Sequence, residues 1–460
     1  MSRLSCSALV RFYLPLALSG LLMTLQQPVL AAALARTTHP KEALAAYGLA
    51  LSIAVLLESP IQMLLAAGAA LAHDKPAFRL LQRFTAVAGA TLVGLGAVLA
   101  LTPLGPALFR HILSAPPALE SQALLALKVL LPWPLVVAWR RLYQGALIGQ
   151  GQTRAVSYGA AGRLAVIAAA AFLAVSFTGW PGAALGVSAL LAGALFEALF
   201  VTGWQRLAGK SKDGTLVGSE PLTLARLGHF YRPLALTSVL TVLSWPLLNA
   251  GIGRAAMSES SLAAWPVILS VLWLFTTPLQ MLQQTTIALV EDALTLRAVR
   301  RFALMLGAAA TGLLGMVSFT PWLEIYLLRV LATPEDIVSL VVSAGRLLAL
   351  FPVLTAAQSF CQGLLIGQGR TAVVRTATAV NLVILIGVLV IGIRQGGVPG
   401  FLLAAVAMTM GLLAEVGWLC WINGLPTRGA RAGMKAHPAV RTNVIKLAWL
   451  SGILRGTPYM

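Results

Sequence analysis

A few charged side chains interrupt the apolar runs of this sequence, and they are the groups able to do chemistry there. On the basic side stand Lys128, Arg140, Arg141, Arg163 and Arg346; on the acidic side stand Glu58, Glu197 and Glu415. Amides accompany them, among them Gln27, Gln62, Asn249, Gln280, Gln358, Gln362 and Asn381. A charge at the centre of a bilayer costs about 2.5 kcal/mol or more, so such a residue is there for a partner or for a pathway. The balance is basic and amide-rich. Arg and Lys are the partners of carboxylates and phosphates, whereas a carrier of organic cations calls for carboxylates. The expected solute contacts are Arg163, Lys128, Arg346, Arg140, Gln27, Asn249 and Asn381, and the expected solute is a small anion. Glu58 is the candidate for a coupling proton. The plainer reading of the same residues is structural. Arg140 and Arg141 could snorkel to a membrane face, and Lys128 and Arg346 could bridge to Glu197 and Glu415.

The elements that must position these groups are set by composition. Of 460 residues, 58% are hydrophobic and 10% charged, and the mean hydropathy is +0.86. Soluble domains carry roughly 25% charged residues. Apolar runs of membrane-crossing length recur along the whole chain, and in lipid each must satisfy its own backbone as a helix or close into a barrel. The runs are blocks of Leu, Ala, Val and Ile without barrel alternation, so the expected fold is an all-α polytopic membrane protein. The net charge of +19 fits Lys and Arg gathered in cytoplasmic loops and calls for no nucleic acid. Cys6, Cys361 and Cys420 form no CxxC and have no nearby His, so neither a disulfide nor a metal is expected. No cofactor is expected, and no nucleotide-binding Gly-x-x-x-x-Gly-Lys-Ser/Thr occurs. An enzyme should show carboxylates or His clustered at one membrane face, and the sequence shows none.

Twelve helices are predicted: 10–34, 43–72, 84–105, 118–149, 155–177 and 182–205, then 228–252, 260–290, 302–324, 336–367, 372–393 and 400–424. They divide the chain into an N-terminal bundle (1–205), a linker (206–227), a C-terminal bundle (228–424) and a basic tail (425–460). The first apolar stretch lacks a clean cleavage signature and reads as a retained helix. Lys and Arg concentrate in alternate loops, which places both termini in the cytoplasm of a multi-pass cell-membrane protein. A monomer is expected.

The two bundles are copies of one unit. Arg11-Phe12-Tyr13-Leu14-Pro15-Leu16-Ala17-Leu18 returns as His229-Phe230-Tyr231-Arg232-Pro233-Leu234-Ala235-Leu236, a shift of 218 residues. The same shift pairs Pro28 with Pro246, Arg36 with Arg254, Pro60 with Pro278, Lys128 with Arg346 and Glu197 with Glu415. It also pairs Gln144-Gly145-Ala146-Leu147-Ile148-Gly149-Gln150-Gly151 with Gln362-Gly363-Leu364-Leu365-Ile366-Gly367-Gln368-Gly369. Glu58 meets Thr276 and so has no acidic twin. Six helices per copy is even, so the repeats run parallel, and solute sites in such proteins lie between the halves near the midplane. Pro28 and Pro246 are expected to bend the first helix of each half. Glu197 and Glu415, kept by both copies, read as a structural pair.

Two parallel six-helix halves resemble the multidrug/oligosaccharidyl-lipid/polysaccharide (MOP) flippases, which include the MATE exporters. Several stretches are similar, more narrowly, to the progressive ankylosis protein family. These are Arg11 to Leu16, Leu44-Ala45-Ala46-Tyr47-Gly48-Leu49-Ala50, Phe230 to Leu236, and Phe351-Pro352-Val353 ahead of Gly363. That resemblance implies a secondary transporter exporting pyrophosphate, nucleotide triphosphate or citrate by alternating access, with H+ or Na+ as a possible coupling ion. The alternatives are a flippase for a lipid-linked saccharide, which needs a lateral gate between the first and eighth helices, and a MATE-type drug or cation antiporter, which needs an acidic cavity.

Overall fold

The computed structural model of the chain describes residues 6–72, 75–150, 152–177, 181–208, 222–290, 292–368 and 370–424. Most of the linker and all of the tail read from the sequence lie outside the described residues. The rest is helix and short connection, with one isolated bridge between Ala256 and Pro399. The first half holds α1 (Cys6–Thr24, resuming as Gln26–Leu34), α2 (Pro40–Glu58, running on through Ser59–Met63 and Leu64–Leu71), α3 (Lys75–Leu101), α4 (Pro117–Val129 and Trp133–Gly149), α5 (Thr153–Phe177) and α6 (Gly182–Ala208). The second holds α7 (Leu224–Val242, resuming as Ser244–Gly253), α8 (Ser258–Gln280 and Leu282–Leu289), α9 (Ala293–Phe319), α10 (Glu335–Leu347, Leu348–Leu350 and Phe351–Gly367), α11 (Thr371–Gln395) and α12 (Gly400–Gly424). Among the described residues ten helices are long and apolar enough to cross a membrane; the two pieces of α4, bent by 43°, make an eleventh span, and Ser238–Gly253 is a shorter apolar helix at the twelfth position. An even number of crossings makes the two halves parallel.

The repeat is visible in the breaks as well as in the helices. α1 breaks at Leu25 and α7 at Leu243, and each resumes with its proline, Pro28 or Pro246, in the first turn of the new piece. There the missing N–H leaves no bond unmade, which is why the helix restarts instead of collapsing. Beyond α3 and α9 lie matching short helices, Leu104–Ala107 and Trp322–Ile325, each followed by a π-helical turn, Leu108–Ile112 or Tyr326–Val330. Each is followed by a residue with positive φ, Ser114 at 51° and Ala332 at 52°.

Two predicted spans need correction. α3 begins at Lys75 and α9 at Ala293, about two turns earlier than the apolar pattern suggests. Arg79, Arg83, Arg297, Arg300 and Arg301 therefore sit on helix and not in loops. A helix can leave the hydrocarbon and continue among headgroups, where basic side chains are at home. The start of α9 is fixed by a capping box in which Asp292 accepts from Thr295 N–H at 2.7 Å. The Asp292 carboxyl is held below its usual range by these hydrogen bonds with Thr295.

The halves meet along a seam whose centre is the crossing of α2 and α8, where Gly48 faces its own repeat partner Pro266. A Cβ on Gly48 would stand 2.8 Å from the Pro266 ring. Gly48→Val is therefore expected to force α2 and α8 apart, lowering the thermal unfolding midpoint by an amount equivalent to about 1 to 3 kcal/mol.

The seam is tied at both ends by reciprocal pairs. At the end where α1 begins and α12 stops, called here the terminal end, the Tyr13 hydroxyl donates to the Pro278 carbonyl at 2.9 Å and the Tyr231 hydroxyl to the Pro60 carbonyl at 2.6 Å. Each ring also packs edge-on against a phenylalanine of the opposite half, Tyr13 on Phe302 and Tyr231 on Phe84. All three members of one tie are the 218-residue partners of the other. Thr24 and Thr277 join nearby, hydroxyl to hydroxyl at 2.9 Å. At the far end Arg36 donates to the Val330 carbonyl at 2.9 Å and the Leu331 carbonyl at 3.3 Å, while Arg254 donates to His111 and Ile112 at 2.6 and 2.5 Å. Those carbonyls end the π-helical turns of the opposite half, where unpaired oxygens and the helix dipole favour a cation. Lys41 and Asp336 add an ion pair across the same end.

Replacing both Tyr13 and Tyr231 by Phe removes two hydroxyl bonds worth about 1 kcal/mol each and keeps the rings. The ratio of terminal-end-open to closed protein is expected to rise roughly thirtyfold, read by distances between spin labels on α1 and α8.

Candidate functional site

Between the two sets of ties lies a cavity of about 230 Å³. α1 and α2 supply Gln27, Tyr47, Gly48 and Leu51; the second half supplies the rest of its wall. Trp245, Trp265 and Trp273 form an aromatic side, with Trp245 and Trp273 stacked at 5.0 Å. The polar groups are amides and hydroxyls: Gln27, Asn249, Gln280, Gln358, Asn381, Thr276 and Thr355. Tyr47 donates to Gln27 Oε1 at 3.2 Å, and Asn249 donates across the seam to the Gly48 carbonyl at 3.3 Å. Among the described residues no charged side chain lines this cavity. The amides can donate to an anionic oxygen or accept from an ammonium, so the wall selects for hydrogen bonding and ring shape, not for net charge.

In the first half several positions equivalent to this cavity's wall carry charge. The 218-residue partners of Thr276, Gln280, Phe351, Gln358 and Asn381 are Glu58, Gln62, Trp133, Arg140 and Arg163. Glu58 is buried, accepting from Gln62 Nε2 at 2.6 Å and from Trp133 Nε1. Glu197 on α6 is fully buried between two guanidiniums, with Arg140 Nη1 at 2.6 Å and Arg163 Nε at 3.3 Å, and takes a third bond from Gln144 Nε2 at 2.6 Å. Arg141 lies beside them and interacts electrostatically with Glu58 and Glu197. The set holds three arginines against two glutamates.

Glu415 on α12 occupies the place of Glu197 but has a different shell. It accepts from Gln362 Nε2 at 2.9 Å, Asn381 Nδ2 at 2.7 Å and Thr378 Oγ1 at 3.5 Å. Where the first half has Arg140 and Arg163, the second has Gln358 and Asn381, both on the cavity wall.

The expected site residues thus separate into three places. Gln27, Asn249 and Asn381 line the cavity. Arg140, Arg163 and Glu58 share the charged cleft of the first half, with Glu197. Lys128 and Arg346 line neither; both are exposed near the breaks of α4 and α10. Arg346 donates to the Ser318 carbonyl at 3.3 Å and lies over the Phe319 ring. Neither meets Glu197 or Glu415, since the two carboxylates are already partnered by α4, α5, α10 and α11. Pro28 and Pro246 are buried at the helix restarts.

Sequence reasoning missed the aromatic wall. Its signal was the places where the repeats disagree, since Trp245, Trp265 and Trp273 replace Gln27, Tyr47 and Val55. It also missed that Cys361 and Cys420, two helices apart, bring their sulfurs to 3.8 Å without a disulfide between them.

The profile of the progressive ankylosis protein family matches residues 1–195. No curated protein matches the chain in sequence. Solved structures share its fold. A multidrug-resistance MATE transporter of the MOP superfamily in its inward-facing conformation superposes with a TM-score of 0.70 at 17% identity, over 90% of this chain and 97% of its own. The MATE multidrug transporter DinF-BH gives 0.63 at 17% identity, over 91% and 96%. A MOP-superfamily transporter from Pyrococcus furiosus, described as having a binding pocket of reverse polarity, gives 0.57 at 17% identity, over 90% and 94%. The fold is that of the MATE transporters, twelve helices in two parallel halves.

Proposed function

We propose that this MATE-fold chain, whose first half resembles the progressive ankylosis family, is a secondary transporter that exports a small organic or phosphorylated anion by alternating access. The observation that carries the reading is the seam itself: a cavity in the second half, with Gln27, Tyr47, Gly48 and Leu51 of the first half completing its wall, and the two halves tied by reciprocal tyrosines at one end and reciprocal arginines at the other. Releasing one set while keeping the other opens the cavity to one side only. The basic residues gathered towards the terminal end in the sequence support an orientation with that end, and both termini, in the cytoplasm.

The anion reading is supported by the ankylosis-like first half and by the excess of arginine over glutamate in the buried charged cluster of that half. Glu58, alone among the buried carboxylates of the described residues in having no acidic repeat partner, is the candidate carrier of a coupling proton in that cluster. A second reading has its own observation: the stacked Trp245 and Trp273 would hold an organic cation over their faces.

Proteoliposomes separate the two. Labelled citrate, pyrophosphate and nucleotide triphosphate are offered beside a labelled organic cation. Uptake of one of the anions, reduced roughly 5- to 150-fold in Asn249→Leu and Gln358→Leu, is the expected result, since each change leaves a solute group unpaired at a cost of about 1 to 3 kcal/mol. Uptake of the cation alone would transfer the assignment to the second reading.

A further inference from the structure

We propose that Arg140, Arg141 and Arg163, gathered in the interior of the first half, hold a chloride ion as a resident counter-charge. The site does not rest on the transport reading above. It also lies apart from the cavity, whose wall includes none of these arginines.

Charge is the first reason. Arg140 is 3% exposed and Arg163 6%, and the carboxylates among them, Glu58 and Glu197, are 6% and 0% exposed. Arg141 interacts electrostatically with Arg140, and Arg163 with both. Three guanidiniums against two carboxylates leave one positive charge over, packed between α2, α4, α5 and α6. A buried charge without a counter-charge is strongly destabilising.

Hydrogen bonding is the second. Each guanidinium carries five N–H donors and no acceptor. Arg140 gives Nη1 to Glu197 at 2.6 Å, but its Nε is buried without a partner. Arg141 Nε is buried and unpartnered too. Among the described residues Arg141 makes no hydrogen bond or ion pair, and its only relation to Glu58 and Glu197 is electrostatic. A buried water accepts from such groups but brings no charge. A halide supplies both the acceptor and the charge, and hydrogen bonds to an ionised acceptor are the stronger kind. One excess charge calls for a monovalent anion, and packing by four helices calls for a small one.

The second half provides the comparison. There Arg140, Arg141, Arg163 and Glu58 are replaced by Gln358, Ser359, Asn381 and Thr276. No guanidinium remains at these positions, so the excess belongs to the first copy alone. The single change Arg141→Ser installs the residue of the other copy and cancels it.

Full-length protein in lipid nanodiscs is unfolded thermally over a series of sodium chloride concentrations, with sodium gluconate holding the ionic strength constant. The wild-type midpoint is expected to rise with the logarithm of chloride once its concentration exceeds the dissociation constant. That rise should be lost in Arg141→Ser. Glu58→Gln, which raises the excess to two, should reach the same rise at lower chloride. Arg110→Gln, at an exposed arginine tied to Glu120 at the far end, should leave the response as it is. A wild-type midpoint indifferent to chloride, or a rise undiminished in Arg141→Ser, overturns the proposal. Should Arg141→Ser fail to fold, Glu58→Gln decides alone, and an equal or higher chloride requirement there is the contrary result. Chloride stabilisation in a protein that takes up none of the offered anions leaves this site standing and removes the anion reading. Anion uptake by a protein indifferent to chloride does the reverse.

Discussion

Glu197→Ala is expected to abolish accumulation of folded protein. The change leaves Arg140 and Arg163 buried together without a counter-charge, and removing one partner of such a cluster costs about 3 to 5 kcal/mol. That loss approaches the whole stability of many folded proteins, which is about 5 to 15 kcal/mol. Glu415→Ala removes an equally buried carboxylate but strands only neutral donors, at about 1 to 3 kcal/mol. The two equivalent substitutions should therefore differ by roughly 2 kcal/mol, the difference between the midpoints of those ranges. Fluorescence-detected size-exclusion of detergent extracts reads this directly: Glu197→Ala aggregated or absent, Glu415→Ala monodisperse. Equal losses would show that the arginine shell of Glu197 is not what separates the halves.

The second large effect concerns the far-end ties. Arg36→Ala with Arg254→Ala removes two guanidiniums that together hold four carbonyls of the opposite halves. Half-exposed charge-assisted contacts of this kind contribute about 1 to 1.5 kcal/mol per arginine. The double variant should therefore shift the population towards the state open at the far end by roughly 30- to 150-fold. Thiol labelling of a cysteine placed at Leu51, on the cavity wall, reads the change from the far side. Each single variant should give about the square root of the effect, because the ties are equivalent and well separated. Labelling that increases only from the terminal end would contradict the assignment of these arginines as the far gate.

The sequence revealed the architecture because duplication writes itself plainly. A constant shift of 218 residues predicts the parallel halves, paired bends at Pro28 and Pro246, and the equivalence of Glu197 and Glu415. What it did not reveal was which copy keeps charge. Arg140 and Arg163, expected to meet a solute, lie against Glu197 and off the cavity wall. Lys128 and Arg346 lie at helix breaks, where an extended side chain can leave the bundle, and no pattern in the sequence distinguishes that from pointing inward. The reciprocal ties were concealed for another reason. Tyr13 with Tyr231 and Pro60 with Pro278 stand in the sequence only as repeated pairs; only packing of one half on the other shows that each tyrosine belongs to the opposite proline. Asn381, in contrast, was legible in type and place, since an amide amid aliphatic residues on a membrane helix is there to bond something.

The central claim is that the two halves move against each other across this seam. Thr24 and Thr277, their hydroxyl oxygens 2.9 Å apart across it, allow a direct test by Thr24→Cys with Thr277→Cys in a background lacking Cys6, Cys361 and Cys420. Oxidation should join α1 to α8, since neighbouring side chains at this separation suit disulfide geometry. The account predicts that uptake of labelled citrate or pyrophosphate stops on oxidation and returns on reduction. Uptake that continues unchanged through a fully formed cross-link would mean that the seam does not open, and that the solute passes elsewhere.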